Sequence, residues 1–368
     1  MSDPIRCLEF FSGIGGLHYA LNIAEIPATV VCAFDVNMIA NQVYEYNFGH
    51  APSNKTIERL TPKDIEKFKA DCWLLSPPCQ PYTQGGNMKD IDDPRAQALV
   101  HLIDLLPKLD KPPTYLFLEN VKNFEESQSR AKLVQMLDEM NYQVKECLLS
   151  PIQFGIPNHR LRYYMMARRR SSIDSSSVQQ QETEQEESSV IQGEIHTKWP
   201  FTGEYQFEVP ELCQFIENAA NEDLQYRVPE KDIIKRHKFR FDIVRPSDNR
   251  TSCVTKAYGS HHLQTSGSLI QTQYLDVKHD WSDPKSLLEL GLRFLSPKEI
   301  SRLHAFPVPE YQLQSNDSCL TKPRLFNPPH CLPHLNFPDS VTLMQRYRLL
   351  GNSLNCWVVA ELLRCELF

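Results

Sequence analysis

Three stretches of the sequence predict an α/β protein built on an open, mainly parallel sheet. Arg6 to Phe11 reads as a strand that runs directly into Ser12-Gly13-Ile14-Gly15-Gly16 and then a helix marked by Leu17, Ala20, Leu21 and Ala24. Thr29 to Phe34 reads as a second strand that ends at Asp35. Cys72-Trp73-Leu74-Leu75 is a short apolar run that ends in Ser76-Pro77-Pro78-Cys79. Polar or reactive residues thus follow the carboxyl ends of successive strands, where open α/β sheets hold their ligands.

The 368 residues suffice for one large domain with a smaller one attached. A hydrophobic content of 41% and a charged content of 23% suit a globular chain, and no apolar run reaches the length of a membrane span. Met1-Ser2-Asp3-Pro4 lacks the basic and then apolar pattern of a leader. The eleven cysteines stand singly, which points to free thiols in a reducing compartment, the cytoplasm or also the nucleus. Cys319 and Cys331, with His330 and His334 nearby, fit no zinc spacing, so no metal is expected. We expect a monomer. The net charge of −7 does not announce a nucleic-acid partner, but clustering matters more than the sum.

Along the chain, the glycines after the first strand let the backbone turn sharply and bring a ligand to a helix N-terminus. Asp35 stands where a strand-end carboxylate takes ribose hydroxyls. His18 and Tyr19 occupy the place of the last small residue of a dinucleotide loop, which favours an adenosyl ligand over NAD. Ile39, Val43 and Tyr46 mark the next helix, and Lys55-Thr56-Ile57-Glu58 reads as a short strand. Thr61-Pro62 opens a helix. The prolines before Cys79 stiffen its loop, and the thiol lacks the apolar neighbours of an inert buried cysteine, so it reads as a nucleophile. Gln80 to Arg95 is polar and reads as a mobile loop able to close over a substrate.

Leu99, Leu102, Ile103 and Leu106 give a helix, and Tyr115 to Leu118 a buried strand ending in Glu119. That acid would lie beside Cys79 if the two strands are neighbours, a suitable acid–base partner for a thiol. A helix through Leu133, Val134, Leu137 and Met140 and a strand from Gln143 to Leu149 follow. Arg160 and Arg162 alternate on an apparent strand and share one face, which suits phosphate or carbonyl recognition as well as a solvated surface. Residues 171–197, rich in Ser, Gln and Glu, read as a disordered linker.

From Trp199 a smaller domain follows, where Lys231, Lys235, Arg236, Lys238, Arg240, Arg245 and Arg250 interleave with Phe239, Phe241 and Tyr258. That mixture suits a nucleic-acid backbone and its bases, although Asp232, Asp242 and Asp248 dilute it. The small residues of Cys253 to Ser260 and Ser266-Gly267-Ser268 suggest close approach to a partner. Ser296-Pro297-Lys298-Glu299 is a capping box, Pro307 to Pro338 a long loop, and Gly351-Asn352-Ser353 leads into a last helix with Leu354, Val358 and Leu362.

In this order, Phe10-Phe11-Ser12-Gly13-Ile14-Gly15-Gly16, Pro77-Pro78-Cys79-Gln80, Glu119-Asn120-Val121, the Arg160 and Arg162 pair, and Gly351-Asn352-Ser353 resemble the cytosine-5 methyltransferase family. Pro77 to Thr83, Ser150-Pro151 with Gly155-Ile156-Pro157-Asn158, and Cys253 to Ser260 with Thr265-Ser266-Gly267-Ser268 resemble its eukaryotic tRNA-methylating branch. The resemblance implies a Rossmann-like class I S-adenosylmethionine-dependent methyltransferase domain carrying an inserted small target-recognition domain. Residues 1–170 would begin the catalytic domain, 198–290 would recognise the target, and 291–368 would return, with 339–368 completing the catalytic domain. It implies S-adenosyl-L-methionine as cofactor, S-adenosyl-L-homocysteine as product, and tRNA, in particular tRNA-aspartate, as substrate.

By the same resemblance Cys79 would add to the cytosine ring, Glu119 would serve ring nitrogen 3, and Arg160 and Arg162 would hold the base carbonyl and a phosphate. Gly13, Ile14, Gly15, Gly16 and Ser353 would meet the methionine end of the cofactor, with Phe10 and Asn352 in the same set. Asp35 would take the ribose, and Ile57 and Glu58 would lie along the adenosine. Val254 stands where these relatives carry phenylalanine, Gln84 where they often carry arginine, and Pro307 to Pro338 is longer; all three bear on substrate contacts. The alternatives are a DNA cytosine-5 methyltransferase, a weakly active nucleic-acid-binding homologue, and, more distantly, a nicotinamide-binding oxidoreductase.

Overall fold

The computed structural model describes residues 3–83, 90–170, 194–202, 206–260, 266–308, 324, 326 and 334–368. The first half lays down β1 (Ile5–Phe10), α1 (Gly16–Ala24), β2 (Ala28–Phe34), α2 (Met38–Phe48), α3 (Pro62–Glu66), β3 (Cys72–Leu75) and α4 (Gln97–Leu105). Then come β4 (Tyr115–Val121), α5 (Gln128–Glu139), β5 (Tyr142–Leu149), β6 (Arg162–Arg169) and the two-residue β7 (Ile195–His196). These strands make one sheet in the order β2-β1-β3-β4-β6-β5-β7. β2, β1, β3 and β4 are parallel, while β6 runs antiparallel between β4 and β5.

Register sets up the site. Phe10 pairs with Leu75 and Leu75 with Leu118, so β1, β3 and β4 finish level and their following residues emerge along one edge. Because β6 is antiparallel, its first residue rather than its last lies on that edge: Arg162 pairs with Val121, two residues beyond Glu119. Side chains alternate along a strand, so Glu119, Val121 and Arg162 share one face.

Two apolar layers cover the sheet. Leu99, Leu102, Ile103, Leu133 and Leu137 fill one face with Trp73, Leu116 and Tyr163. Leu17, Leu21, Val43 and Tyr44 fill the other, and that core continues into the second half through Leu212, Phe215, Val244, Tyr258 and Leu269. The second half is short and irregular: α6 (Asn218–Glu222), α7 (Glu230–Ile234), β8 (Ile243–Val244) paired with β9 (Leu269–Ile270), and α8 (Pro297–Leu303). A buried Arg293 holds Glu299 through two bonds of 2.8 Å, and Glu299 also closes the Ser296 capping box. Finally α9 (Leu343–Gly351) and α10 (Cys356–Leu362) bring the chain back, with Cys356 Sγ meeting the Gly16 carbonyl at 3.6 Å.

Several expectations change. Lys55 to Glu58 is no strand: Ile57–Arg59 is a single 3-10 turn, and only a Phe34–Ser53 bridge extends the sheet there. Pro52 offers no N–H and Ile57 is the one apolar residue in a polar run, too little to hold a strand in register. Tyr46 is exposed, and Tyr44 fills the core from α2 instead. The segment before Gly351 is itself a helix, α9, capped by Thr342 with Gln345. The linker ends by residue 194, since Ile195 and His196 pair with Glu146 and Cys147. Gln84, most of 171–197, Thr265, Cys319, His330 and Cys331 lie outside the described residues. Among the described residues no helix is long and apolar enough to cross a membrane, and no cluster of three metal-binding side chains occurs.

Candidate active site

The level ends of β1, β3 and β4 open onto a cavity of about 490 Å³. Its first wall is the turn after β1. Phe11 and Gly13 adopt positive φ (59° and 53°), and the Asp35 carboxylate accepts the Gly13 and Asn37 N–H groups at 2.8 Å each. Burial raises the Asp35 acid, against those backbone bonds. Gly15, at φ 86°, has no room for a side chain, since a Cβ would stand 2.3 Å from the Phe48 ring.

The second wall is the Cys79 loop. Ser76 Oγ donates to the Phe11 carbonyl at 2.9 Å and Asn120 Nδ2 to the Pro77 carbonyl at 3.3 Å, so the loop is tied to the turn after β1 and to the end of β4. Cys79 opens a 3-10 turn through Tyr82, whose buried ring packs edge-on against Phe124. Burial raises the Cys79 thiol; Arg162, Arg160 and Lys256 oppose that and Glu119 adds to it.

The third wall carries the acid and the cations. Glu119 is 9% exposed, and burial holds its acid above the ordinary carboxyl range despite Arg162 and Arg160. Arg162 Nε lies 3.5 Å from Glu119 Oε1. Arg160 precedes β6 and is buried; its guanidinium donates to Val254 O at 2.9 Å, to Gly351 O at 3.3 Å and to Ser353 O. It therefore knits three segments together from behind the cavity. His304, at the end of α8, is buried with neither ring nitrogen bonded among the described residues, and burial with both arginines keeps it neutral.

Gly13, Ile14, Gly16, Asp35, Ile57, Glu58, Cys79, Glu119, Arg160, Arg162, Asn352 and Ser353 all line this one cavity. Phe10 and Gly15 do not: the Phe10 ring stacks on Phe34 inside the sheet core, and Phe11 faces the cavity in its place. Val254 is fully buried in the second half and does not line this cavity. Gly351 allows a close seam with the second half, because a Cβ there would stand 2.2 Å from the Thr255 backbone.

Some lining residues were not legible beforehand. Arg95 reaches the cavity while fixed to Asp93 by two bonds of 2.8 and 2.7 Å. The Asp-Pro-Arg run after an acidic patch was the available signal. Val36, 64% exposed at the cavity, offers an apolar surface beside Asp35. An apolar slot, a carboxylate and a glycine turn at a helix start fit an adenosyl amino acid: flat base, hydroxyls and charged tail.

The sequence pattern of C-5 cytosine-specific DNA methylases matches residues 5–326. A human protein named tRNA (cytosine(38)-C(5))-methyltransferase is 35% identical, over 98% of this chain and 99% of its own length. A DNA (cytosine-5)-methyltransferase of Dictyostelium discoideum is 36% identical, over 98% of this chain and 94% of its own. The crystal structure of the S. pombe Dnmt2 methyltransferase superposes with a TM-score of 0.74 at 32% identity, covering 98% and 97% of the two chains. With its seven-stranded sheet and its cavity at the strand ends, the chain belongs to the C-5 cytosine methyltransferase family, whose members depend on S-adenosylmethionine.

Proposed function

We propose that this protein methylates carbon 5 of a cytosine in tRNA, in the anticodon loop of tRNA-aspartate, through a covalent bond to Cys79. The observation that carries the chemistry is the meeting of Cys79, Glu119 and Arg162 in one cavity with the turn after β1. The tRNA substrate rests on the relatives of that name, which match along nearly the whole chain.

Carbon 5 of cytosine is a poor nucleophile within an aromatic ring. Cys79 passes its thiol proton to water and adds its sulfur to carbon 6, breaking the aromaticity and making carbon 5 enamine-like. Glu119, kept above the ordinary carboxyl range, holds a proton for ring nitrogen 3 and draws off the developing charge. Arg162 stands beside Glu119 and faces the base carbonyl. S-adenosylmethionine supplies an electrophilic methyl group, and the turn after β1, Asp35, Val36 and Ile57 would hold it. Carbon 5 takes that methyl group, leaving S-adenosylhomocysteine, and then gives up its proton to water; the electron pair of the broken carbon–hydrogen bond restores the ring double bond as the carbon–sulfur bond breaks and Cys79 leaves. The base must be unstacked to enter the cavity, which costs less in a hairpin loop than in a duplex.

DNA is the second reading, favoured by the Dictyostelium relative. Methyl transfer from labelled S-adenosylmethionine to total tRNA and to duplex DNA separates the two. Label in tRNA is expected, and label in DNA alone would reverse the assignment. The reading places a monomer in the cytoplasm and nucleus, which gel filtration and imaging of the tagged protein check.

A further inference from the structure

Cys253 is a second cysteine at the site, and the mechanism above does not use it. It lies in the target-recognition half, yet its sulfur is 3.1 Å from Arg160 Nη1 and 3.5 Å from Arg162 Nη2. Both guanidiniums therefore point N–H groups at one sulfur. Its own hydrogen, if present, has only the Val254 carbonyl at 3.6 Å, an oxygen that already accepts from Arg160 at 2.9 Å.

Charge balance points the same way. Arg162 is close enough to disfavour the charge of Arg160, which is almost wholly buried. Glu119 supplies at most one negative charge, and burial favours its neutral form. Two desolvated cations need a nearer anion. The groups facing Cys253 are Arg160 and Arg162, with Glu119 on β4, Tyr164 on β6 and neutral His304 at the end of α8 around those arginines.

We propose that Cys253 is a thiolate counter-ion that holds the Arg160 and Arg162 guanidiniums in place and so couples the target-recognition half to the catalytic cavity. It is a positioning residue: it acts through Arg162 on the base and through Arg160 on the seam with Gly351 and Ser353. Burial pushes the Cys253 thiol up, and the two arginines outweigh that and bring it below the ordinary range. The activity arm of its test rests on the tRNA reading; the thiolate itself does not.

The test uses full-length wild type, Cys253→Ser and Cys253→Asp. Serine keeps the size and removes the charge, while aspartate restores a charge. Thiolate ultraviolet absorbance is titrated as a wild-type minus Cys253→Ser difference, with Cys253→Asp as the reference if the serine variant melts early. The difference should persist below the ordinary cysteine range; a difference seen only at alkaline pH overturns the proposal.

In the methyl-transfer assay Cys253→Ser should lose about 100-fold in kcat, the scale of a misplaced catalytic group. Cys253→Asp should recover most of that loss and fall less steeply toward acidic pH than wild type, which loses rate as Cys253 takes up a proton as well as Cys79. A serine variant as active as wild type, or an aspartate variant no better than serine, overturns the proposal. A wild-type protein that labels no tRNA breaks the functional reading, while the titration still decides the charge of Cys253.

Discussion

The Cys79 loop and the Cys253 loop present the same side chain to the same two arginines, with opposite results. At Cys79, burial prevails and the thiol is held up; among the described residues no hydrogen bond reaches its sulfur. At Cys253 both guanidiniums are in contact and the thiol is held down. A charge in contact through a hydrogen bond overcomes desolvation, and the same charge farther off does not. The site thus raises the thiol of its nucleophile while its cations fix geometry. Glu9 shows burial acting without any cation. It lies under the turn after β1, accepts from Tyr44 Oη at 3.0 Å and from the His18 N–H at 3.3 Å, and burial raises its acid to about 8.

The comparison can be broken most severely at Cys79. Cys79→Ser should reduce methyl transfer by roughly 10⁴-fold or more while cofactor binding, measured calorimetrically, stays intact. Turnover in that variant would remove the nucleophile from the scheme. Glu119→Gln comes next, with a loss of about 10²- to 10³-fold. The pH profile carries its sign. Wild type needs an ionised Cys79 and a protonated Glu119, so its rate should rise with pH, level off as Glu119 loses its proton, and fall once Cys79 is fully ionised. The glutamine variant should keep rising where wild type has levelled; an unchanged profile would deny Glu119 its proton.

Gly351→Ala tests the seam and not the nucleophile. Its Cβ would drive the Thr255 backbone away and carry the Cys253 loop off the arginines. A loss of about 1–3 kcal/mol in denaturant unfolding is expected, with a fall in kcat and unchanged reactivity of Cys79. Smallest for activity is Glu9→Gln, whose readout is stability against pH. The raised acid favours folding below the ordinary carboxyl range, and that contribution is lost as pH rises toward about 8. Wild type should lose on the order of 4 kcal/mol over that interval. The glutamine variant should lose less, and parallel melting curves would contradict the buried neutral acid.

The first half was legible because its signals are local. An apolar run, a turn and the residue after it identify β1, β3 and β4, and parallel pairing then brings Gly13, Cys79 and Glu119 to one edge. The antiparallel insertion of β6 was not legible, since nothing in Arg162 to Arg169 states its direction. Nor were the partners of Arg160: Cys253, Val254 and Gly351 are 93, 94 and 191 residues away. Periodicity reports which face is apolar, not what lies against it. Helix α9 was the avoidable miss, because Thr342 with Gln345 is a capping box of the kind recognised at Ser296. The burial of Val254 was not legible either, because a likeness between sequences marks a position without revealing whether it faces solvent or core.

The seam at Gly351 also bears on how the molecule is made. Closing a loop of 191 residues to bring Arg160 onto Gly351 costs chain entropy before any contact repays it. During synthesis the parallel strands can pair early, yet Arg160 lacks its Gly351 and Ser353 acceptors until the chain through α9 has emerged. The cavity is then completed last, and a chain halted before that point would lack the wall that Gly351, Asn352 and Ser353 supply.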